Sequence, residues 1–570
     1  MKDNIQLTDY ISAFISSKGI TDVFQMSGGM ITQIIDKISQ NEAIKVHSLF
    51  HEQSCAFAVS AYGRIHKKPS VALATSGPGA TNLITGIGDC YFDSVPAIFI
   101  TGQVNTHELK GERKFRQLGF QETDIVSIVK PVTKYAIQLD ETSNFREVFE
   151  LAYSIAIEGR PGPVLIDIPM NVQRIKLSNG KKIIPKVFRK KNHDLIPVFA
   201  AIAASKKPLI WAGNGVHTSN SESLFKEFVE VTKIPSVLTL HGIDLLPHVS
   251  PQRVGMIGSY GNRWANKSVF ESDTIIFLGS RIDIRQTGAN MSLFVNKKII
   301  QVDIDESEFN NRLHADISIN MDINEFLIQF LEEYNVQLDF SDWLARINEL
   351  KDSNPLSNEL VIQNQEINPH DFFTQLSIDT KGPRVYSVDV GSHQMWSAQA
   401  LVFHNGDRFL TSGGMGSMGF SLPAAIGASV STDQDIVVIV GDGSFQMNIQ
   451  ELQYISFNKL NIKIVVVNNG CLGMIRQFQD SYMEGRYFGT KWGYSTPDFS
   501  AISNAYGIQS LAVDSSEAIE AAISWLFKDK GPRLINLKIN SNVDVFPKIA
   551  FGQTMDKMEP EFKPKEIEST

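Results

Sequence analysis

Cysteine is scarce in this chain. Only Cys55, Cys90 and Cys471 occur in 570 residues, with no metal-ligand spacing. That excludes a disulfide framework and a cysteine-built metal site, and it fits a reducing compartment. An excess of positive charge is missing as well: 53 Lys and Arg stand against 62 Asp and Glu, a formal net charge of -9. This balance argues against a general nucleic-acid binder. No uncharged apolar run reaches the ~18–20 residues that a membrane span needs. The stretch Pro69 to Gly88 is uncharged, but Gly and Pro punctuate it and it reads as strand, turn and helix of a buried core. The start, Met1-Lys2-Asp3-Asn4, brings an acid early and has no apolar run behind it, so no signal peptide and a cytoplasmic location are expected. No short repeat is visible.

What is present is an alternation of short β-rich apolar runs and helical patterns, the mark of parallel sheets covered by helices on both faces. The length predicts three domains of roughly 150–200 residues. Strands are expected at Ser70–Thr75, Pro96–Thr101 and Val164–Ile168, then at Pro208–Ala212, Thr274–Leu278 and Ile299–Asp303, and finally at Val385–Asp389, Ile436–Val440, Ile464–Val467 and Arg533–Leu537. The basic stretch Arg174 to Lys191 reads as one linker, and the charged, Asn-rich span Asp339 to Pro369 as holding a second. The domains therefore run over 1–175, 192–340 and 365–550. The charged tail over 551–570, with Pro560 and Pro564, reads as partly disordered. The first and last thirds look like two versions of one α/β layer.

The segment with the most chemistry is Gly441-Asp442-Gly443, at the end of the run Ile436 to Val440. A second run, Ile464 to Val467, ends in Asn468-Asn469. A carboxylate and an amide oxygen at two strand ends suit a hard divalent cation that takes its other ligands from a diphosphate. Gly443 and Ser444 open a helix whose N–H groups can receive a phosphate, with Phe445, Ile449, Leu452 and Ile455 at helical spacing. The plainer alternative is a tight strand–helix turn capped by Asp442. Upstream, Glu52 in Phe50-His51-Glu52-Gln53 precedes a helical run from Ala56 to Tyr62 among small apolar residues. It is either a first-turn glutamate favouring the helix dipole or a carboxyl held for a purpose. Two glycine-rich segments, Thr75-Ser76-Gly77-Pro78-Gly79 and Gly413-Gly414-Met415-Gly416-Ser417-Met418-Gly419, let backbone approach a ligand or another chain closely.

Together, His51-Glu52-Gln53, Ser76-Gly77-Pro78-Gly79-Ala80-Thr81-Asn82, Phe120-Gln121-Glu122, Arg160-Pro161-Gly162-Pro163 and Gly441-Asp442-Gly443-Ser444-Phe445-Gln446-Met447 with Asn468-Asn469 resemble the thiamine-diphosphate enzymes, and among them the acetolactate-synthase-like group. The resemblance spans about residues 5 to 555. It implies an α/β chain of three doubly wound parallel-sheet domains: pyrimidine-binding, central FAD-binding-like and diphosphate-binding. It implies that Glu52 hydrogen-bonds the cofactor's aminopyrimidine and that Met418 wedges the cofactor into a bent shape, with the backbone of Gly416 and Met418 on the pyrimidine edge. Asp442, Asn469 and the carbonyl of Cys471 match Mg²⁺ ligands. Gly441, Gly443 and Ser444, and the loop Gly391-Ser392-His393, match diphosphate contacts, although Ser392 stands where a glutamine is expected. Candidate FAD contacts are Arg160, Gly213, Asn214, Gly215, Thr239, Leu240, Gly255, Gly258, Arg281, Asp303, Ile304 and Asp322; a plain α/β spacer is the alternative. FAD would serve no redox turnover. Phe120 and Gln121 would line the donor pocket from a neighbouring subunit. The implied assembly is a homodimer or homotetramer, because in this family the glutamate and the metal motif come from different subunits.

The reaction implied is decarboxylation of pyruvate and transfer of the two-carbon unit to a second carbonyl, a ketone acceptor. Phe478 stands where biosynthetic acetolactate synthases carry a tryptophan, Met170 where they carry a lysine, Ile284 where they carry an acid and Met30 where they carry an alanine; Arg285 is kept. All four departures fall on the acceptor side, and they point to an altered acceptor. The segments Arg116 to Glu122, Phe546-Pro547-Lys548-Ile549 and Phe551-Gly552 look most like the yersiniose-type branched-sugar carboligases, which use a nucleotide-linked keto-deoxy sugar. Acetolactate synthesis from two 2-keto acids and a flavin-dependent pyruvate oxidase are the competing readings.

Overall fold

The computed structural model describes residues 5–177, 193–360, 362 and 366–562. The chain divides into two compact units, one of Met1–Phe188, Ser412–Ile436 and Met447–Ile462, the other of Arg189–Thr411, Val437–Gln446 and Lys463–Thr570.

Three six-stranded sheets carry the fold. The first consists of β1 Asp22–Gln25, β2 Lys45–Ser48, β3 Val71–Ala74, β4 Ala97–Gln103, β5 Tyr135–Gln138 and β6 Pro163–Pro169, in spatial order β2-β1-β3-β4-β6-β5. The second consists of β7 Pro208–Ala212, β8 Ser236–Leu238, β9 Arg253–Met256, β10 Thr274–Leu278, β11 Lys298–Asp303 and β12 Ile317–Asn320, ordered β9-β8-β7-β10-β11-β12. The third consists of β13 Arg384–Val388, β14 Arg408–Leu410, β15 Asp435–Gly441, β16 Ile462–Asn468, β17 Gln509–Val513 and β18 Arg533–Lys538, ordered β14-β13-β15-β16-β18-β17. The first and third sheets thus share one strand order, and the expectation of two versions of one layer is met. Their ladders are parallel, for instance Ile100 opposite Ile166 and Val466 opposite Asn536. The central strands are apolar on both faces because helices cover both.

Within the first unit, the helix Glu52–His66 packs on the helix Ser421–Ser429 closely enough to need glycine. A Cβ at Gly427 would lie 2.1 Å from the Ala58 carbonyl oxygen; the helix Ile84–Phe92 packs on Glu52–His66 as closely, since a Cβ at its Gly86 would lie 2.2 Å from the Ala56 Cβ. The Phe57 and Phe420 rings meet edge-on at 5.4 Å beside this crossing.

Four expectations need correction. The helix opened by Gly443 and Ser444 is not continuous. It runs Asp442–Met447, breaks at Asn448 (φ -130°, ψ 28°), and resumes as a 3₁₀ turn and the helix Leu452–Phe457. The side chain of Asn448 bonds Gly419 and Gln53 instead of serving a helix face. The span Asp339 to Pro369 holds a helix, Ser341–Ser353. Its Trp343, Ile347 and Leu350 recur on one face and join the core of the second sheet, and Trp343 donates to the Pro208 carbonyl at 2.9 Å. The tail is ordered through Phe562: Met555 and Met558 are buried, and Lys548–Ile549 pairs antiparallel with Met558–Glu559. Pro564 lies outside the described residues. Of the first linker, Lys176–Leu177 pairs with Ile5–Gln6; Ser178 to Lys191 lies outside the described residues.

Gly427→Ala should lower the urea midpoint by an amount equivalent to about 1–3 kcal/mol, the usual cost of overpacking. Gly382→Ala, whose added Cβ meets nothing within 4 Å, should stay within about 0.5 kcal/mol of the parent. Equal midpoints for the two variants would refute the close crossing.

Candidate active site

In the third sheet the chain reverses its winding between β13 and β15, so the loops that leave these strands part and open a crevice at their carboxyl ends. Asp442 ends β15 on one side. Its Oδ1 accepts from the Tyr494 hydroxyl at 2.7 Å and its Oδ2 from the Gly470 N–H at 2.7 Å. Burial pushes its carboxyl above the usual range, and these two donors oppose that shift. Asn469, buried, follows β16, and its Oδ1 accepts the Cys471 N–H at 3.3 Å. The Cys471 thiol lies against the Ser541 carbonyl at 3.7 Å, and burial raises its pKa, so it is no nucleophile. Among the described residues no group of three His, Cys, Asp or Glu side chains could hold a metal. A cation at Asp442 would take most of its ligands from elsewhere, as Mg²⁺ held by a diphosphate does.

The other side of the crevice is Gly391-Ser392-His393. The His393 ring fits between two glycines: a Cβ at Gly391 would lie 2.6 Å from it and one at Gly441 2.8 Å. Its Nε2 accepts the Gly441 N–H at 3.2 Å, and burial lowers its pKa to about 3. The ring is therefore neutral and joins the two loops; it brings no positive charge. Ser444 adds a bond from its hydroxyl to the Val390 carbonyl at 3.1 Å. Gly473 closes the third side, where a Cβ would lie 2.6 Å from the Ser392 Oγ and 2.8 Å from the Asn469 Nδ2. The fold thus brings together Gly391, Ser392, His393, Gly441, Asp442, Gly443, Ser444, Asn469 and Cys471. Tyr494 was missed; it lies 52 residues from Asp442 in a segment without periodicity.

In the first unit, Glu52 opens the helix Glu52–His66 and is only 7% exposed. Its Oε2 accepts from the Asn82 amide at 3.0 Å, and a Cβ at Gly79 would lie 3.1 Å from its Oε1. Gln121 meets the same loop, in a left-handed conformation (φ 66°), 3.0 Å from where a Gly77 Cβ would stand. The loop Thr75–Gly79 therefore separates Glu52 and Gln121. Phe120 points outward, 79% exposed. The Gly413–Gly419 loop lies in the same unit. Asp93 accepts the N–H groups of Gly413 and Gly414 at 3.0 and 2.7 Å, and Ser417 donates its N–H to the Ser412 hydroxyl. Gly416 has φ 67° with open space around it, and Met418 is half-buried. The hydroxyls of Ser76 and Ser417, one in each loop, are buried without a partner. Asn82 and Asp93 were missed as site residues, although Asn82 ended a quoted motif.

The acceptor-side residues of the second unit share a neighbourhood. Arg285 stacks over the Tyr260 ring at 5.4 Å. Tyr482 lies 4.8 Å from the Phe478 ring and 5.8 Å from the Phe551 ring, and the Tyr260 hydroxyl acts on that of Tyr482. Phe478 is 45% exposed and Ile284 53%. Gln399 holds the Tyr260 carbonyl at 2.9 Å and is itself bonded to His370 at 2.8 Å. Met170 opens a short helix of the first unit, and Met30 is anchored by Gln173, which donates to its carbonyl at 2.7 Å.

The candidate flavin positions stand at the carboxyl ends of the second sheet: Gly213, Asn214 and Gly215 after β7, Thr239 and Leu240 after β8, Gly255 and Gly258 in and after β9, Arg281 after β10, Asp303 and Ile304 at the end of β11, and Asp322 after β12. That sheet has the strand order at whose switch point dinucleotides bind. Several positions already have local work. Gly213 and Gly215 pack on Gly279, Arg281 pairs with Asp283 at 3.0 Å, and Asp322 caps the helix Ile323–Glu333. Arg160 lies in the first unit, where it donates to the Ser94 hydroxyl at 2.8 Å.

Comparison with known proteins agrees with this layout. Residues 5–128 match the N-terminal thiamine pyrophosphate binding domain, 196–330 the central domain and 389–537 the C-terminal binding domain of the thiamine pyrophosphate enzymes. The chain is 36% identical to the acetolactate synthase large subunit of Lactococcus lactis, over 95% of this chain and 93% of that one. It is 33% identical to the isozyme 2 large subunit of Escherichia coli, over 95% and 97%. It is 34% identical to the chloroplastic acetolactate synthase 1 of Nicotiana tabacum, over 96% and 83%. No helix among the described residues is long and apolar enough to cross a membrane.

His370, fully buried, has its pKa lowered to about 4 by desolvation. Its share of stability is present above the unfolded value near 6.5 and is lost as pH falls toward 4. At pH 5.5 that loss is about 1.4 kcal/mol, one pH unit below the unfolded value. His370→Gln should flatten the pH dependence of the urea midpoint between 7.5 and 5.5 by that amount. An unchanged slope would show that His370 titrates normally.

Proposed function

Because the chain belongs to the thiamine pyrophosphate enzyme family, we propose that it is a magnesium-dependent carboligase that decarboxylates pyruvate and passes the two-carbon unit to a ketone acceptor. The observation that carries this is the meeting of Asp442 and Asn469 at two adjacent strand ends, facing the His393-braced loop across the switch point. The residues fit the cofactor. Asp442 and Asn469 offer oxygens to a hard cation, Gly416 leaves open space, and the unpartnered Ser76 and Ser417 hydroxyls await donors or acceptors.

When bound, thiamine diphosphate supplies a carbon nucleophile and a sink for the electrons that decarboxylation releases. Asp442, Asn469 and the Cys471 carbonyl would hold Mg²⁺, and Gly391, Ser392, Gly443 and Ser444 would receive the diphosphate. Met418 and Gly416 would face the aminopyrimidine. Glu52, buried and held by Asn82, would exchange a proton with a ring nitrogen. Gln121 and Phe120 would face the donor. Glu52 and Asp442 belong to different compact units, in keeping with a homodimer or homotetramer whose sites take residues from two chains. FAD in the second sheet, a cytoplasmic location and domain limits near residues 175, 192, 340, 365 and 550 belong to the same reading.

For the acceptor we favour a nucleotide-linked keto-deoxy sugar. An exposed Phe478 replaces an indole, Met170 removes a cation, and the aromatic cluster of Tyr260, Tyr482 and Phe551 beside Arg285 offers a broad surface. Condensation of two 2-keto acids is the second reading, favoured by the likeness to the acetolactate synthase large subunits of Lactococcus lactis and Escherichia coli.

Glu52→Gln should lower kcat by about 10²–10⁴-fold, the range of a lost general acid–base. Full turnover in that variant would remove Glu52 from the mechanism. Mass analysis of products from pyruvate should show a two-carbon branch on a CDP-linked 4-keto-6-deoxy sugar. Rapid acetolactate formation with no sugar turnover would overturn the sugar acceptor in favour of the second reading. Phe478→Trp combined with Met170→Lys should shift the kcat/KM ratio toward 2-keto acids by about 10–200-fold; a ratio that does not move would free both positions from any part in selectivity.

A further inference from the structure

We propose that the segment Asn448–Glu451 is a positioning device for Glu52: the Glu451 carboxylate and the Asn448 amide hold the turn from which Glu52 projects. This rests on the reading of Glu52 as the proton-exchanging carboxyl. Glu451 is fully buried, and its two oxygens receive the Phe50 N–H at 3.1 and 3.4 Å. It also takes the His51 N–H and faces the Ser54 hydroxyl. Asn448 accepts from the Ser54 hydroxyl at 3.1 Å and donates to the Gln53 side chain at 3.2 Å. Its other bond, at 2.8 Å, goes to the carbonyl of Gly419, which ends the loop carrying Met418. Phe50 and His51 before Glu52, and Gln53 and Ser54 after it, are thus gripped from one short segment.

An ordinary helix cap does not explain this. The cap is already present, because the His51 Nδ1 accepts the Gln53 N–H at 3.1 Å. Glu451 binds N–H groups that precede the helix, so its bonds determine where the helix begins and hence where Glu52 stands. Nor is it a favourable core choice. Burial raises its carboxyl to about 7, and the Cys55 thiol is pushed well up by burial and by the charges of both Glu451 and Glu52. An apolar residue at 451 would pack at less cost. The helix break at Asn448 has the same explanation: a continuous helix would carry the amide away from Gly419 and Ser54.

The test uses full-length Glu451→Leu, Glu451→Gln and Asn448→Ser with two readouts. In cofactor-free protein, amide exchange at Phe50 and His51 should rise at least about tenfold in Glu451→Leu and stay near the parent in Glu451→Gln, which keeps an acceptor. In the holoenzyme, kcat should fall about 10²-fold in Glu451→Leu with KM for pyruvate and thiamine diphosphate affinity nearly unchanged, as a misplaced catalytic group predicts. Rescue by Glu451→Gln supports the proposal. Should the leucine variant not fold, a lowered kcat with unchanged KM in Asn448→Ser supports it in the same way. Unchanged exchange and kcat overturn it, and so does a fall in kcat that merely follows cofactor affinity or melting temperature. Full turnover in Glu52→Gln overturns the reading of Glu52 and the functional content of this proposal; unchanged exchange in Glu451→Leu overturns the seat alone.

Discussion

The chemistry of the third sheet depends on keeping one carboxylate charged where water is largely excluded. Asp442 follows a strand that is apolar from Ile436 to Val440, and burial by itself raises the pKa of its carboxyl. The chain supplies two donors, the Tyr494 hydroxyl and the Gly470 N–H, from segments that follow β16. The Asn469-Gly470-Cys471 turn is therefore shaped by the same carboxylate that it would join in holding a cation. A divalent cation offers more electrostatic compensation than either donor.

The first and third sheets share one strand order but spend it differently. In the third sheet the crevice between β13 and β15 is lined by backbone, glycine and a neutral histidine on one side and by the Asp442 carboxylate on the other, which suits an anion that brings its own cation. In the first, the chain after β2 and β3 presents a buried carboxyl and a loop of small residues, which suits a heteroaromatic ring with a basic nitrogen. Equal topology with unequal side chains separates binding from activation.

The buried centres of the sheets were legible because their strands are continuous apolar runs: Pro208–Ala212 and Thr274–Leu278 appear at the expected residues. The outer strands were not. Lys45–Ser48 and Gln509–Val513 are partly exposed and mix polar with apolar residues, so neither period stands out. Ser341–Ser353 was hidden by its charge, although Trp343, Ile347 and Leu350 keep helical spacing. In the site, Asp442, Asn469 and Glu52 could be read because each occupies a short motif at an element boundary. Tyr494, Glu451 and Asp93 could not, since each acts through a contact between distant segments and carries no local pattern.

In the proposed reading Arg285 and Phe478 border the acceptor, where replacements would change the substrate and leave Asp442 and Asn469 in place. Arg285, on the short helix Ile284–Thr287, and Phe478, on the helix Gly473–Tyr482, are linked through Tyr260 and Tyr482. Tyr260 is fixed at its carbonyl by Gln399, and Gln399 by His370, which burial keeps neutral. The Arg285 guanidinium and the Glu559 and Asp544 carboxylates all act on Tyr260. The Phe478 ring reaches solvent, so an acceptor that extends outward from the site meets a flat apolar edge instead of a wall. Under the proposed sugar acceptor, a small keto acid would gain little from such an edge, whereas a sugar ring with an attached nucleotide would gain area along its whole length.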